Sequence, residues 1–256
     1  MVSSGRTGRN IKTIGTMEIE TLSQIKVILW DIDGTLLNFE EAEKCAIHRC
    51  FEIFQMGDCT EEMLQRYSAI NRRYWEALER GEMSKEEILV GRFREFFHQE
   101  GLDEQKAEAF NAEYQVRLGD TVCFCDNGYE LVCKYKGKVK QYAVTNGTAI
   151  AQHRKLKNSG LDKVLDGAFI SDELGVEKPN KLFFDIVLGA IGTFAKEEIL
   201  IVGDSLTSDM QGGNNAGIQC CWYHPQKEKK LPQDSALKID YEIQNLWELE
   251  KIVSYI

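Results

Sequence analysis

The sequence predicts a doubly wound parallel α/β sheet with an α-helical domain inserted after its first strand, and three observations predict it. The almost wholly apolar run Lys26-Val-Ile-Leu-Trp30 breaks off at Asp31-Ile-Asp33-Gly34-Thr35, as a strand buried on both faces does where it empties into a polar turn. Residues 39–118 then carry four consecutive segments of helical periodicity with no strand between them. After Gly119, short apolar runs alternate with amphipathic stretches, the rhythm of a parallel sheet covered by helices on both faces.

Each element follows from its local chemistry. Phe39, Ala42, Ile47, Cys50, Phe51 and Phe54 line one face of a first helix, which ends before Gly57, with Asp58 as candidate N-cap of the next. Met63, Leu64, Tyr67, Ile70, Tyr74 and Leu78 form the second stripe, stopped by Gly81. Ser84 and Glu87 make a capping box for a third helix carrying Ile88, Leu89, Phe93, Phe96 and Phe97 up to Gly101, and Asp103 opens a fourth through Ala107, Phe110 and Tyr114. The remainder reads as helix 127–136, strand 139–144, helix 149–158, strand 168–171, and a helix started by Pro179 at its first position. Strand 199–202, helix 208–216, strand 218–222 and a closing strand and helix within 241–253 complete it. Residues 226–234, with three lysines and Pro232, read as a surface loop.

Composition narrows the partners. With 31 basic against 41 acidic residues the net charge is −10, which leaves no basic footprint for polymeric nucleic acid or an anionic membrane surface. A small phosphorylated metabolite is still admitted, since one phosphate needs only a local pocket of donors and a metal. The eight cysteines fit no zinc-site spacing and follow no secretory signal, so they are expected as reduced, buried small hydrophobes. Residues 1–16 contain Arg6, Arg9 and Lys12 but no apolar stretch. A cytoplasmic protein with a flexible N-terminal arm over residues 1–22 is the expectation.

In an open α/β sheet, ligands bind at the carboxyl ends of the strands, so the polar residues that follow each apolar run belong together. They are Asp31 and Asp33, then Thr145-Asn146-Gly147, then Lys178, then Gly203-Asp204-Ser205 with Asp209. Carboxylates gathered from Asp31, Asp33 and Asp204 would repel each other and any phosphate dianion, so they make sense around a hard divalent cation and an ammonium, here Mg2+ and Lys178. Thr145 can donate its hydroxyl, the amides of Asn146 and Gly147 can form a nest for phosphoryl oxygens, and Gly34 permits a sharp turn. Alone, an Asp-x-Asp-Gly or a Thr-Asn-Gly is ordinarily a turn; the weight lies in four such groups falling in order at strand ends. The aromatic residues Tyr67, Tyr74, Trp75, Phe93, Phe96 and Phe97 are spaced as packing residues, and His48, His98, His153 and His224 match no triad or metal pattern.

Asp31-Ile-Asp-Gly-Thr-Leu-Leu37, Thr145-Asn146-Gly147, Lys178-Pro179 and Gly203-Asp-Ser-Leu-Thr-Ser-Asp209 resemble the four motifs of the haloacid dehalogenase superfamily, in order and over almost the whole chain from Ile25. The helical insert resembles that superfamily's helical cap. More narrowly, Thr145-Asn-Gly147, the stretch from Gly175 to Asp185 and Gly212-Gly-Asn-Asn-Ala-Gly217 followed by Cys221-Trp222 resemble its bacterial pyrimidine 5′-nucleotidase branch. The resemblance implies a Rossmann-like catalytic core over residues 23–38 and 119–256, and a cap over 39–118.

It also implies roles. Asp31 would attack phosphorus to give an aspartyl-phosphate, and Asp33 would protonate the leaving oxygen and then activate water. Mg2+ would be held by Asp31, Asp204 and the backbone carbonyl of Asp33. Thr145, Asn146, Gly147 and Lys178 would bind the phosphoryl group, while Ser205 and Asp209 would orient a metal-bound water and Lys178. The expected activity is a Mg2+-dependent phosphomonoesterase on pyrimidine nucleoside 5′-monophosphates. A sugar-phosphate or phosphoglycolate phosphatase, or a phosphomutase, would share every core residue and differ in the cap. A dehalogenase has no need of the acid Asp33, and a non-catalytic scaffold would be expected to have lost one of the charged groups.

Overall fold

The structure is a computed structural model that describes residues 25–225, 231 and 236–253. The expected N-terminal arm lies outside the described residues, as does all of the expected 226–234 loop except Leu231. Six strands, β1 (Val27–Trp30), β2 (Lys140–Thr145), β3 (Gly167–Ile170), β4 (Ile199–Gly203), β5 (Gln219–Tyr223) and β6 (Tyr241–Ile243), form one sheet in the order β3-β2-β1-β4-β5-β6. Every pairing is parallel. The chain moves outward from β1 to β3 and then crosses to build β4 to β6 on the other side. Strand order therefore reverses between β1 and β4, where their carboxyl ends open a crevice.

The four residues of β1 are fully buried because both faces of the sheet are covered. Ile28 and Trp30 join Leu131, Val132, Tyr135 and Leu246 in one apolar layer, whereas Val27 and Leu29 join Phe183, Phe184, Val187 and Met210 in the other. An unbroken apolar run is the signature of this two-sided burial. The first layer includes α5 (Gly128–Tyr135) and the second includes α8 (Lys181–Ile191). Trp30 is satisfied within the core: its indole N–H donates to Gln141 Oε1 at 3.1 Å, and Gln141 Nε2 donates to the Val132 carbonyl at 3.0 Å.

Between β1 and α5 lie α1 (Phe39–Phe54), α2 (Glu61–Glu79), α3 (Lys85–Glu100) and α4 (Ala107–Asp120). They enclose a third apolar cluster in which Tyr67, Phe93, Phe96, Phe97, Phe110 and Tyr114 are all fully buried. Tyr67 stacks on Phe93 with ring centroids 5.1 Å apart, so these aromatics pack as their spacing predicts. The Ser84–Glu87 capping box is present and Gly101 closes α3 in the left-handed conformation. Against expectation, Thr60 rather than Asp58 caps α2, its side chain accepting the Met63 amide, so the helix starts two residues later than an Asp58 cap would place it. Asp103 caps a short 3-10 turn, Glu104–Lys106, that leads into α4.

The remaining helices are α6 (Ala149–Ser159), α7 (Ser171–Leu174) and α9 (Gln211–Ala216). Pro179 does not begin α8; Asn180 caps it, accepting the Leu182 amide. The helix expected over 208–216 opens as a π-helical turn, Leu206–Met210, and the closing helix is of 3-10 type, Leu246–Lys251. The four-residue α7 and a 3-10 turn at Leu161–Lys163 are too short to carry a periodicity. All eight cysteines are free, but only Cys50, Cys59, Cys220 and Cys221 are buried; Cys45, Cys123 and Cys133 are exposed, which corrects the expectation that they serve as core residues. Among the described residues no helix is long and apolar enough to cross a membrane.

Candidate active site

The crevice gathers the residues collected from the strand ends. Asp31 follows β1, its amide donating to the Val202 carbonyl of β4 at 2.9 Å, and carboxylate oxygens of Asp31, Asp204 and Asp209 lie within 4.8 Å of one another. Lys178 Nζ sits among them with three acceptors: Asp31 Oδ1 at 2.8 Å, Asp209 Oδ1 at 2.6 Å and the Val144 carbonyl at 2.8 Å. All three ammonium protons are thereby committed. Burial opposes the charge on Lys178, but Asp209 and Asp31 outweigh it and raise its pKa above the ordinary lysine value. Asp31 is pushed well above the usual carboxylate range by burial; Lys178 pulls it back, and Asp209 and Asp204 add to the rise.

One atom stands out. Asp31 Oδ2 is buried and has no hydrogen-bond partner, which is costly for an anionic oxygen unless a ligand completes it. The donor set fits a hard cation: a partnerless carboxylate oxygen next to Asp204, with the local carboxylates in excess of the one ammonium. Gly34 makes this approach possible. It has a φ of +93°, and a Cβ there would lie 2.9 Å from the Asp204 carboxylate. Gly34→Ala is accordingly expected to lower stability by about 1–3 kcal/mol through backbone strain and displacement of Asp204; a urea melt coincident with that of the parent chain would contradict this.

Asn146 works through its side chain. Its Nδ2 donates to the Lys178 carbonyl and its Oδ1 accepts the Lys178 amide, both at 2.8 Å, so the loop after β2 fixes the backbone of Lys178. The Gly147 N–H is turned onto Thr145 Oγ1 at 3.1 Å rather than outward as in the expected nest, and the Thr145 hydroxyl, accepting there, keeps its own proton to donate. Ser205 differs from expectation too. Its hydroxyl accepts the Ser208 amide at 3.1 Å and so caps the π-helical turn, while its own N–H donates to Asp209 Oδ2 at 3.1 Å. It therefore orients Asp209 through the backbone, and Asp209 in turn holds Lys178.

Asp33 points to residues that the motifs do not include. Gln152 Nε2 donates to Asp33 Oδ2 at 2.7 Å, and Lys155 Nζ forms an ion pair with Asp33 Oδ1. The helical insertion contributes as well. Glu79 of α2 accepts a hydrogen bond from Thr207 beside Asp209, and burial raises its pKa. Lys85, at the start of α3, donates to Ser171 Oγ at 2.7 Å and lies 3.4 Å from Glu177, the neighbour of Lys178. The insertion is thus tied to the strand ends from both α2 and α3. The four histidines stay outside the carboxylate cluster; His224 stacks on Trp222 at 4.0 Å and pairs with Glu242.

Residues 28–223 match the haloacid dehalogenase-like hydrolase family. The HAD-hydrolase YfnB of Bacillus subtilis is 32% identical over 91% of this chain and 97% of its own. Its crystal structure, bound to magnesium, superposes with a TM-score of 0.83 over 90% of this chain and 99% of that one. The pyrimidine 5′-nucleotidase PynA of Streptococcus pneumoniae is 34% identical over 86% of this chain and 93% of its own, and the pyrimidine 5′-nucleotidase YjjG of Escherichia coli 28% identical over 88% and 96%. With a family match over residues 28–223 and a relative 32% identical over nearly the whole of both chains, this chain belongs to the haloacid dehalogenase-like hydrolases.

Proposed function

We propose that the protein is a Mg2+-dependent phosphomonoesterase that works through an aspartyl-phosphate on Asp31, with pyrimidine nucleoside 5′-monophosphates as substrates. The observation that carries this reading is the state of Asp31: one carboxylate oxygen held by Lys178, the other buried without a partner. In the first step an Asp31 oxygen bonds to phosphorus, the bond from phosphorus to the leaving oxygen breaks, and Asp33 delivers its proton to that oxygen. In the second, Asp33 takes a proton from water as the water oxygen attacks phosphorus, and the Asp31 carboxylate leaves with its electron pair. Thr145 donates its hydroxyl proton to a phosphoryl oxygen, and Lys178 brings its positive charge beside the phosphoryl group while its protons stay on Asp31, Asp209 and the Val144 carbonyl; Asn146 and Gly147 shape the loop that carries Thr145. Asp31, Asp204 and the backbone carbonyl of Asp33 would hold Mg2+, which when bound supplies the positive charge that lets a phosphate dianion sit among carboxylates.

Residues 39–118 act as a cap over the core, 23–38 and 119–256, and the ties from Glu79 and Lys85 to the strand ends support that division. A capped site excludes polymers, so the substrate is a free monophosphate. The choice of nucleotide is supported by the two pyrimidine 5′-nucleotidases among the relatives. The test is kcat/KM for dUMP, UMP and dTMP against hexose phosphates, phosphoglycolate and a bisphosphate at matched Mg2+. A preference for hexose or glycolate phosphates would overturn the nucleotidase assignment and leave the phosphatase chemistry standing, and release of a rearranged phosphate ester would make the protein a mutase.

Mg2+ should be required and Ca2+ a poor substitute, because Ca2+ takes more ligands at longer distances and favours a bidentate carboxylate at Asp31, which is then badly placed to attack. Independently of turnover, Mg2+ should raise the melting temperature by relieving the carboxylate cluster. Full activity in excess EDTA, or a melting temperature indifferent to Mg2+, would contradict the assignment.

A further inference from the structure

The grip on Asp33 comes from a single helix face. Gln152 and Lys155 stand three residues apart on α6, each takes one of the two Asp33 oxygens, and both side chains are completely buried. A wholly buried lysine is a poor way to stabilise a fold, since an apolar side chain of similar volume does as well or better. What the pair does supply is a fixed place for the carboxylate. The Lys155 ammonium is itself seated 5.5 Å above the Phe39 ring.

That place is referred to the phosphate-binding loop. The Gln152 amide nitrogen lies where a Cβ on Gly147 would come within 2.1 Å of it, so Gly147 is open because Gln152 passes against it on its way to Asp33. The start of the helix is anchored to two other elements, α4 and α7. Thr148 caps it and donates to Gln115 Oε1 of α4 at 2.8 Å, and the Ala149 amide donates to Asp172 at 2.9 Å. Asp33 is thereby held by the rigid helix that directly follows the Thr145-Asn146-Gly147 loop.

We propose that Gln152 and Lys155 are positioning residues that set the Asp33 carboxylate at a fixed distance from the phosphoryl site, so that its proton reaches the leaving oxygen. The proposal rests on the reading of Asp33 as the general acid. Its consequence is selective: losing the grip harms substrates whose leaving alkoxide must be protonated and spares those whose leaving group departs unprotonated.

The experiment compares kcat/KM, which reports formation of the phosphoenzyme, for a nucleoside 5′-monophosphate and for p-nitrophenyl phosphate in Lys155→Met, Lys155→Arg, Gln152→Ala and Asp33→Ala. For Lys155→Met and Gln152→Ala the alkyl-to-aryl ratio should fall by about tenfold or more, Lys155→Arg should recover part of it, and adding Lys155→Met to Asp33→Ala should lower the ratio no further. A proportional loss on both substrates would mean that the pair only supports the fold, and would overturn the proposal. If Asp33→Ala leaves the ratio unchanged, it is the acid assignment that fails; if Asp33→Ala lowers it and the helix variants do not, the positioning assignment fails. Circular dichroism checks folding, and Gln152→Ala, which removes no charge, decides alone where Lys155→Met does not fold.

Discussion

Asp31→Asn should reduce turnover by at least about 10⁴-fold, the scale seen when a nucleophile is removed from a covalent mechanism, while leaving the fold intact. An amide fills the same space and its oxygen can still accept from Lys178, so the loss is chemical rather than structural. The stability effect has a definite sign. Burial, with Asp209 and Asp204, holds the Asp31 carboxyl above its unfolded value, so between those two values the folded, metal-free chain binds a proton that the unfolded chain does not. Metal-free stability is then greatest below the unfolded carboxyl value, about 4, and declines as pH rises toward the folded one. Asp31→Asn should flatten that decline, leave the metal-free melting temperature at pH 7 equal or higher, and shrink the increase brought by Mg2+. A variant that keeps the parent rate would remove Asp31 from the mechanism. One that melts lower than the parent at neutral pH without Mg2+ would show that the carboxylate is stabilising, contrary to its burial.

The parts of the site that could be read from the sequence are those fixed by the sheet. A strand covered on both faces announces itself as an apolar run, and the polar residue ending it has nowhere to go but the crevice, which is why Asp31, Thr145 and Asp204 could be assembled from their positions alone. Asn146 was legible as a loop residue but not as the clamp on Lys178, because a contact across 32 residues leaves no periodic trace. Gln152 and Lys155 did leave one. They share the buried stripe of α6 with Ala151 and Leu156, and polar residues on an apolar stripe ask for a buried partner; the partner, Asp33, lies far away in the chain. Glu79 and Lys85 gave no signal, since a charged residue at the end of an amphipathic helix is ordinarily solvated. The caps were half legible. The reciprocal pair Ser84 and Glu87 fixes a start, whereas Asp58 and Thr60 are both competent cap residues by type, and residue type alone does not choose between them.

Lys178 should prove the most consequential residue for folding and chemistry together. Replacing it with Met takes the single ammonium from between Asp31 and Asp209 and leaves two buried carboxylates and the Val144 carbonyl without their donor. Breaking a buried pair from one side costs about 3–5 kcal/mol, enough to endanger a domain whose net stability is about 5–15 kcal/mol. The transition state should lose a further stabilisation of about 3 kcal/mol, as when a preorganised donor is removed from developing negative charge. The two losses can be separated. In Lys178→Met combined with Asp209→Asn, one of the stranded charges is gone, so urea unfolding should recover by more than about 1 kcal/mol relative to the single variant, the non-additivity expected of residues in one network. Turnover should not recover, because in the proposed mechanism Asp209 holds the ammonium in place while the charge of the ammonium offsets that of the phosphoryl group. Recovery of both would reassign Lys178 to a structural role, and an unchanged kcat in the single variant would transfer the phosphate clamp to another residue.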